Sequence, residues 1–479
     1  MSAMNRRTFL GRGAAAAAAL AAPTLIPASA RGAEGHVAPS ERIAAALIGR
    51  GSMSRGHVNW MLRNPAFQVV AVCDVDATRR EEARRAVEKR YAEDQPGGTY
   101  HGCATYVDYR ELLARPDIDA VVIATPDHWH AIQAMDAARA GKDIYCEKPV
   151  AMTIQEGRRL VETVRRYGRV LQTGMQRHSN PIFQKVCRFI RAGGLGRVKA
   201  AYCTVPLLRN YIGGAEFKPY RETGAQLARL GESITAIDVA LPAEPAPEGL
   251  EWDLWVGPAP SRPYNRCYHT NELKRGAVPW NFCVDFGHGG LSNHTVHSFD
   301  LIQWALGVEE SGPVEVLHPA DSDFPTITYR YANGTLLHGI YMTGGLGLLD
   351  AYNPVPGKRQ LGNMFGGLFV GERGWIDAHA GARLECEPKE LADALGLADA
   401  EIDEGDHTHR ENWLECIRSR QRPVCDVEIG HRAASVGHLG DIAWWTGRSL
   451  KWDPAREEFL DCEAANRLRR RVPRAPWRI

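Results

Sequence analysis

A glycine-rich turn near the start of the chain carries residue types that bind a dinucleotide. The apolar run Ile43–Ile48 leads into Gly49-Arg50-Gly51-Ser52-Met53-Ser54, and a helix-like segment follows. In a strand, turn and helix of this kind, Gly49 permits the tight turn and Gly51 lets the backbone approach the pyrophosphate. The N–H groups and positive dipole of the helix N-terminus then face the phosphates. We therefore expect dinucleotide contacts from Gly49, Gly51, Ser52, Met53 and Ser54, the last of which replaces the usual third glycine.

A carboxylate follows the next apolar run and could bind the adenosine ribose. Asp74 comes directly after residues 69–73, at the tip of an expected second strand. An acid at this position accepts hydrogen bonds from the ribose hydroxyls, and it favours NAD because it repels a 2′-phosphate. Arg79 and Arg80 follow closely and could accept that phosphate, so NADP remains an alternative.

Strand-like and helix-like segments alternate around these residues with short loops. Helix-like residues 78–91 and 128–140 flank strand-like residues 118–124 and Asp143–Cys146. This alternation predicts a doubly wound parallel Rossmann sheet, which binds ligands at the carboxyl ends of its strands. Gly49, Asp74, Thr125 and Lys148 all fall at such ends. We place this domain at residues 42–165 and a second domain at 166–479, with a loop-rich insertion at about 207–278.

Composition argues against several other classes of protein. The chain has 479 residues, more than one core usually supports, and 58 Lys plus Arg nearly balance 57 Asp plus Glu. We expect no nucleic-acid partner, and we interpret the basic residues 469–471 as a solvated surface. The eleven cysteines show no C-x-x-C pair, so we expect no disulfide framework. His288, His294 and His297 lack a placed carboxylate, and His438 is interpreted as structural, so no metal is expected.

The first thirty residues have the pattern of an export signal. Arg6-Arg7-Thr8-Phe9-Leu10 precedes an alanine-rich stretch that ends in Ala28-Ser29-Ala30. This pattern resembles the twin-arginine signal, which exports folded proteins across the bacterial inner membrane. We therefore expect a signal peptide at residues 1–30, a polar leader at 31–41 and a periplasmic mature protein. No later stretch reaches the roughly 18 apolar residues of a membrane span.

Several motifs in this order resemble the Gfo/Idh/MocA family, named for glucose-fructose oxidoreductase, inositol dehydrogenase and rhizopine catabolism. They are Cys73-Asp74-Val75-Asp76, Thr125-Pro126-Asp127-His128-Trp129-His130, Glu147-Lys148-Pro149, Trp252-Asp253-Leu254-Trp255-Val256-Gly257-Pro258 and His297-x-x-Asp300. The resemblance implies a C-terminal α/β domain with a large open, mainly antiparallel sheet. It also implies a homo-oligomer that assembles through that sheet. Strand-like residues 198–204, 326–331, 336–342 and 368–370 are consistent with this fold.

The resemblance also assigns roles at the site. It places Lys148 beside the reacting hydroxyl and His297 with it in a proton relay. Family members usually carry Asp where this chain has Asn293, four residues before His297. A neutral amide can orient His297 on a shared helical face, but it cannot raise the imidazole pKa as a carboxylate does. Further cofactor contacts are expected from Thr125, Pro126, His130, Glu147, Lys148 and Gln176.

Three activities are compatible with these residues. The first is NAD-dependent oxidation of a small-molecule sugar, cyclitol or other polyol. The second is glycoside hydrolysis by transient oxidation, elimination and re-reduction, as in one branch of the family. The third is sugar binding without catalysis, although intact Lys148 and His297 argue against it. Because the periplasm is not expected to maintain a nicotinamide pool, an exported enzyme must hold its cofactor tightly and regenerate it in every cycle.

Overall fold

The structure is a computed structural model. It describes residues 39–94, 98–207, 233–238, 241–269, 279–342, 348–350, 352, 354–361, 365–397, 400, 402 and 407–479. The expected signal peptide, most of the expected leader and much of the expected insertion lie outside the described residues. Within the described part of the chain, every helix is too short or too polar to cross a membrane.

The N-terminal domain is built on six parallel strands. They are β1 Ile43–Ile48, β2 Phe67–Cys73, β3 Ala104–Tyr106, β4 Ala120–Ile123, β5 Asp143–Cys146 and β6 Leu171–Thr173. Their order in the sheet is β3-β2-β1-β4-β5-β6, which confirms the predicted Rossmann fold. The sheet continues beyond residue 165, where sequence analysis ended the domain, because Leu171 pairs with Ile144 of β5.

Five helices connect these strands. They are α1 Ser54–Arg63, α2 Ala77–Ala92, α3 Tyr109–Leu113, α4 Asp127–Arg139 and α5 Ile154–Arg166. Side-chain caps fix where three of them begin: Asp76 accepts hydrogen bonds from the N–H groups of Thr78 and Arg79, Asp108 accepts one from Arg110, and Thr153 accepts one from Glu156. Helix α2 begins four residues after β2 ends, and α4 begins four residues after β4 ends. Their first turns therefore lie at the predicted ligand edge.

The C-terminal domain contains a nine-stranded sheet. Its strands are β7 Val198–Val205, β8 Glu315–Leu317, β9 Thr328–Arg330, β10 Leu336–Tyr341, β11 Gly366–Gly371, β12 Trp375–His379, β13 Glu385–Glu387, β14 Leu450–Asp453 and β15 Glu458–Phe459. Their order is β13-β12-β11-β7-β10-β9-β8-β14-β15. Among these described strands β7 and β10 pair in parallel and the other neighbours are antiparallel, which confirms the predicted mainly antiparallel sheet.

Most of the remaining helices pack on one face of this sheet. The remaining helices are α6 Pro181–Arg191, α7 Trp252–Val256, α8 Val296–Leu306, α9 Glu390–Leu395, α10 His407–Ser419, α11 Val427–Thr446 and α12 Glu463–Leu468. Alternation along β7 directs Ala201, Cys203 and Val205 into the main core with Phe299 of α8. Tyr202 points to a smaller cluster on the opposite face. Helices α8 and α11 therefore lie between the two sheets, next to the ligand edge of the first.

The chain terminus returns to the N-terminal domain. Arg471 donates one hydrogen bond to the Glu156 carboxylate at 2.5 Å and another to the His128 carbonyl at 2.8 Å. Arg469 donates to the Glu457 carbonyl. The interpretation of this basic cluster as a solvated surface is therefore wrong for Arg471, whose side chain is only 19% exposed. These contacts bring the last residues of the chain to the carboxyl edge of the Rossmann sheet.

Candidate active site

A cavity of about 320 Å³ lies at the carboxyl ends of the Rossmann strands. The four strand-end residues expected to converge, Gly49, Asp74, Thr125 and Lys148, all line it. The C-terminal domain closes it with Trp255, Tyr268, Asn293 and His294. Ser52, Met53, Pro126, His130 and Glu147, which were expected to contact the cofactor, also line the cavity. Ser54, Gln176 and His297 do not belong to its lining, and Ser54 Oγ donates instead to the Gly51 carbonyl at 2.9 Å.

The glycine turn has the geometry that a pyrophosphate cradle requires. Gly49 has a φ of 89°, and a Cβ there would lie 2.8 Å from the Ala124 carbonyl oxygen. Only glycine fits such a position without strain. At Gly51 a Cβ would meet Ala124 at 3.8 Å, an ordinary contact distance. Gly49 is therefore required by the fold, whereas the open face at Gly51 leaves room for a ligand.

The carboxylate of Asp74 is fixed beside this turn. Its Oδ2 accepts a hydrogen bond from the Arg50 N–H at 2.6 Å, and its Oδ1 accepts one from the Asp76 N–H at 2.9 Å. A carboxylate has about four acceptor positions, so ribose hydroxyls can still bind. Arg80 is engaged with the Asp74 carbonyl at 2.6 Å. Arg79 lines the cavity and remains the residue of that pair that could meet a 2′-phosphate.

Three aromatic side chains line the same cavity as Asp74, and we call them the Trp477 wall: Tyr109, Trp129 and Trp477. Sequence analysis did not predict Trp477 as a site residue. Trp477 packs edge-on against Trp129 at 4.7 Å and stacks with Tyr109 at 6.3 Å. Arg474 holds this terminal segment by hydrogen bonds to the Gly257 and Pro258 carbonyls, both at 2.9 Å. No motif marks Trp477 as a cavity residue, because its place depends on the return of the terminus across the N-terminal domain.

His130 braces two loops of the site. Its Nδ1 lies 2.7 Å from the Pro149 carbonyl, and its Nε2 lies 2.8 Å from the Thr125 carbonyl. Thr125 Oγ1 also donates to Gln133 at 2.8 Å. The ring therefore ties the turn after β4 to the loop that carries Lys148.

A hydrogen-bonded network joins the two domains at the inner end of the cavity. Lys148 Nζ donates to the Asn293 carbonyl at 2.9 Å and lies 3.5 Å from Asn293 Oδ1. Asn293 Nδ2 donates to Asp127 Oδ2 at 2.6 Å. Burial lowers the pKa of Lys148, against the charges of Asp127 and Glu147. Burial likewise raises the pKa of Asp127, against the charges of His130 and Lys148.

Glu147, the residue before Lys148, is held in place by His57. Arg410 Nε donates to His57 Nδ1 at 3.1 Å, which leaves the other ring nitrogen to donate to Glu147 Oε1 at 2.8 Å. Burial would raise the pKa of Glu147, but the hydrogen bond from His57 and the charge of Lys148 hold it below its usual value. Glu147 is therefore an ionised anchor, and Asp127 is the carboxyl group beside Lys148 that sequence analysis missed.

The expected pairing of Asn293 with His297 is wrong in its geometry. The segment is not one α-helix, because a π-helical turn, Gly290–His294, precedes α8. Close packing accompanies this turn, since a Cβ at Gly290 would lie 1.9 Å from the Pro206 carbonyl oxygen. The amide of Asn293 faces Asp127, and no hydrogen bond joins it to His297 in the part of the chain that the structure describes.

The side chain of His297 is buried and does not line the cavity. Its ring meets Phe365 edge-on at 5.0 Å, and its Nδ1 has no hydrogen-bond partner among the described residues. Burial, reinforced by the charges of Arg177 and Lys148, lowers the pKa of His297 well below its usual value. His294 lines the cavity, and burial together with the Lys148 charge lowers its pKa to about 3. Both imidazoles are therefore neutral at physiological pH.

Two family models match this arrangement of domains. The model described as an oxidoreductase family NAD-binding Rossmann fold matches residues 43–175. The model described as its C-terminal alpha/beta domain matches residues 235–343 and 398–479. The chain belongs to the Gfo/Idh/MocA oxidoreductase family. Its N-terminal domain is thus an NAD-binding domain, in agreement with the geometry of Gly49, Gly51 and Asp74.

Individual members of the Gfo/Idh/MocA family are similar to parts of the chain. The uncharacterized oxidoreductase YrbE of Bacillus subtilis is 32% identical over 157 residues, 33% of this chain and 42% of that protein. An alpha-N-acetylgalactosaminidase of Shewanella oneidensis is 32% identical over 179 residues, 35% of this chain and 38% of that protein. The chain thus spans about two fifths of the length of these relatives.

A solved structure shares the fold over most of the chain. The WlbA dehydrogenase of Bordetella pertussis, crystallised with NADH and UDP-GlcNAcA, superposes with a TM-score of 0.53 at 18% sequence identity. The match covers 86% of this chain and 99% of that one. The two-domain architecture therefore extends over both proteins.

The glycine turn provides a matched pair of variants. We expect Gly51→Ala to weaken NAD binding by at least about tenfold, or 1.4 kcal/mol, because the methyl group fills the pyrophosphate path. Its free energy of unfolding should change by less than about 1 kcal/mol, since the added Cβ meets no close protein atom. Gly49→Ala should instead destabilise the fold by about 1–3 kcal/mol. Calorimetry and urea unfolding measure both effects, and wild-type NAD affinity in Gly51→Ala would exclude the turn from the cofactor site.

Replacing Asn293 tests its contact with Asp127. Asn293→Asp would place two carboxyl groups within hydrogen-bond distance, and like charges raise the pKa of the second ionisation by about one unit or more. A raised carboxyl pKa in the folded state costs stability as pH rises above the unfolded value. The melting temperature of the variant, relative to wild type, should therefore fall as pH rises above about 4, the pKa of Asp in an unfolded chain. The exposed control Asn333→Asp should show no such trend, and a pH-independent difference for Asn293→Asp would refute the contact.

Proposed function

We propose that the chain is an exported, NAD-dependent oxidoreductase that acts on a hydroxyl group of a sugar or cyclitol. The observation that carries this proposal is the Lys148–Asn293–Asp127 network at the inner end of the NAD cavity. Hydride removal from a secondary alcohol requires a group that takes the hydroxyl proton beside the hydride acceptor. The sugar-nucleotide ligand of the WlbA dehydrogenase supports a sugar as the substrate class.

Side chains of this protein can accept the hydroxyl proton of the substrate and return it. Bound NAD would supply the hydride acceptor, and the glycine turn, Asp74 and the Trp477 wall would hold it. Lys148 in its neutral form accepts the hydroxyl proton on Nζ as the carbinol carbon becomes a carbonyl carbon. The resulting ammonium is stabilised by the carbonyl oxygen of Asn293 and by the Asp127 charge beyond it. In the reverse direction the same ammonium returns the proton to the alkoxide.

We further infer that the nicotinamide is retained and recycled within the protein. A twin-arginine signal would deliver the folded chain to a compartment without a nicotinamide pool, so each cycle must restore the cofactor. The terminal segment supports retention, because Trp477 lines the cavity and packs against Trp129, so it adds buried apolar surface to the cofactor site. Reduction of a second sugar, or re-reduction of the same one, would close the cycle. A homo-oligomer formed through the open sheet remains a prediction.

A second candidate function is redox-neutral cleavage of a glycosidic bond. The alpha-N-acetylgalactosaminidase of Shewanella oneidensis favours it, as a relative that is 32% identical over 35% of this chain. Transient oxidation of the sugar acidifies a neighbouring C–H, and elimination then expels the aglycone. Asp127 and Lys148 are placed to move protons in such a sequence, and re-reduction returns the hydride to the sugar.

One experiment tests the function and separates the two candidates. Purified protein is incubated with free sugars and cyclitols, and separately with aryl glycosides, while reduced-nicotinamide absorbance and aglycone release are followed. Absorbance changes with free sugars support the oxidoreductase. Aglycone release without net absorbance change supports the glycosidase. Neither signal with a broad panel of both, at full cofactor occupancy, would support the non-catalytic sugar-binding alternative.

Lys148 should be required for either activity. We expect Lys148→Ala to lower kcat by about 10²-fold or more, because proton transfer by a positioned side chain contributes that much. NAD affinity and the melting temperature should stay close to wild type, as the role is in the transition state. The exposed Lys199→Ala is the matched control. A Lys148→Ala variant that keeps more than about a tenth of wild-type kcat would remove Lys148 from the mechanism.

A further inference from the structure

A buried cluster of two imidazoles and a carboxylate lies outside the cavity, behind the π-helical turn. His288 precedes the turn, and His438 and Asp441 lie on α11. All three side chains are buried, with Asp441 fully inaccessible to solvent. Their potential ligand atoms lie within 4.8 Å of one another. None of the three residues lines the NAD cavity.

The distances between these ligand atoms are close to those between neighbouring ligands of a single metal ion. His288 Nδ1 lies 2.9 Å from Asp441 Oδ2 and 3.2 Å from His438 Nδ1. With metal–ligand bonds of about 2.0–2.1 Å, neighbouring ligands of a tetrahedral Zn²⁺ ion lie about 3.3 Å apart. The three atoms therefore stand where a single cation could contact all of them.

Without a cation, hydrogen bonds among the described residues do not satisfy every polar atom of this cluster. His438 Nε2 lies 3.1 Å from the Ala151 carbonyl, so Nε2 carries the hydrogen and a neutral ring directs the lone pair of Nδ1 at His288. One N–H on His288 Nδ1 cannot point at both His438 and Asp441. Asp441 Oδ1 is buried and has no hydrogen-bond partner among the described residues. A divalent cation would satisfy the converging lone pairs and the buried charge together.

The surroundings resemble the outer contacts of known metal sites. Metal-binding histidines usually donate their second ring N–H to a carbonyl or a carboxylate, as His438 does to Ala151. Ser292 Oγ donates to Asp441 Oδ2 at 2.5 Å and so orients the carboxylate. Gly437 permits this approach, because a Cβ there would lie 2.8 Å from Ser292 Cα.

We propose that His288, His438 and Asp441 bind a divalent d-block cation such as Zn²⁺. Imidazole nitrogens with a carboxylate oxygen suit ions of this class, and three protein ligands leave a position for water. The cation would brace the catalytic segments. It would connect α11 to Ala151, three residues beyond Lys148, and to the turn that carries Asn293. This proposal revises the expectation that His438 is purely structural, and it is independent of which substrate the cavity takes.

A second histidine-containing cluster provides an internal comparison. His178, Asp300 and Cys425 also place ligand atoms within 4.8 Å of one another. His178 Nε2 and Asp300 Oδ1 form a simple pair at 2.9 Å, and the ring of His178 stacks on Trp304. This group has one imidazole instead of two. Its cysteine would give a bound cobalt ion a thiolate charge-transfer band, which the proposed site would lack.

Titration with Co²⁺ tests the proposal on the full-length protein. After dialysis against a chelator, the wild type should bind one Co²⁺ per chain. Its visible d–d bands should appear without a near-ultraviolet thiolate band. Co²⁺ should also raise the melting temperature, because a ligand that binds only the folded state stabilises it. Absence of Co²⁺ binding by the folded wild type, or a thiolate band at stoichiometric metal, overturns the assignment.

Variants then locate the ion. Asp441→Asn and His438→Gln should lose both Co²⁺ binding and its effect on the melting temperature. The control is His431→Gln, which alters another buried histidine of α11 that pairs with Glu457 at 2.6 Å. It should bind Co²⁺ as the wild type does. Undiminished binding by a folded Asp441→Asn variant would contradict the proposal. If both site variants fail to fold, the wild-type stoichiometry and spectrum decide.

Discussion

The hydrogen-bonded path from Lys148 through Asn293 to Asp127 is the contact on which the geometry of the site depends. Lys148 and Asp127 follow neighbouring strands of the Rossmann sheet, whereas Asn293 belongs to the C-terminal domain. Asn293 lies between the two groups, where its carbonyl accepts a hydrogen bond from Lys148 and its side-chain amide donates one to Asp127. Asn293 belongs to the π-helical turn, which packs closely on Pro206. The same hydrogen bonds therefore join the two domains and position the groups that would transfer the proton.

The same path accounts for an amide at position 293, where the family resemblance predicts a carboxylate. In this chain the carboxyl group beside the lysine comes from Asp127, on the other domain, and the amide connects it to Lys148. Asn293 can donate with its nitrogen and accept with its oxygen, whereas a second carboxylate could only accept. Glu147 does not take this part, since it already pairs with His57, which in turn accepts a hydrogen bond from Arg410.

Sequence patterns predicted the parts of the fold with strong local signals. Buried parallel strands such as β1 and β5 are continuous apolar runs, and their expected bounds match the structure. Strand β3 and helix α3 have three and five residues, too few for a periodic signal, and they were not predicted.

The strand-end residues Gly49, Asp74, Thr125 and Lys148 were predictable because the strands of a parallel sheet end at the same edge. Asp127 and Trp477 were missed because their roles depend on contacts between segments far apart in the chain. The expected contact of Asn293 with His297 assumed a period of 3.6 residues through a turn that is π-helical.

The central claim is that this fold holds a nicotinamide dinucleotide tightly enough to work without an external supply. The most direct test is to purify the protein from the periplasm without added nucleotide, denature it, and measure the released cofactor by mass spectrometry. The account predicts close to one NAD or NADP per chain. A folded protein that is isolated empty and binds NAD only weakly would contradict it. Such a result would leave a dehydrogenase that exchanges its cofactor with a cytoplasmic pool as the better description.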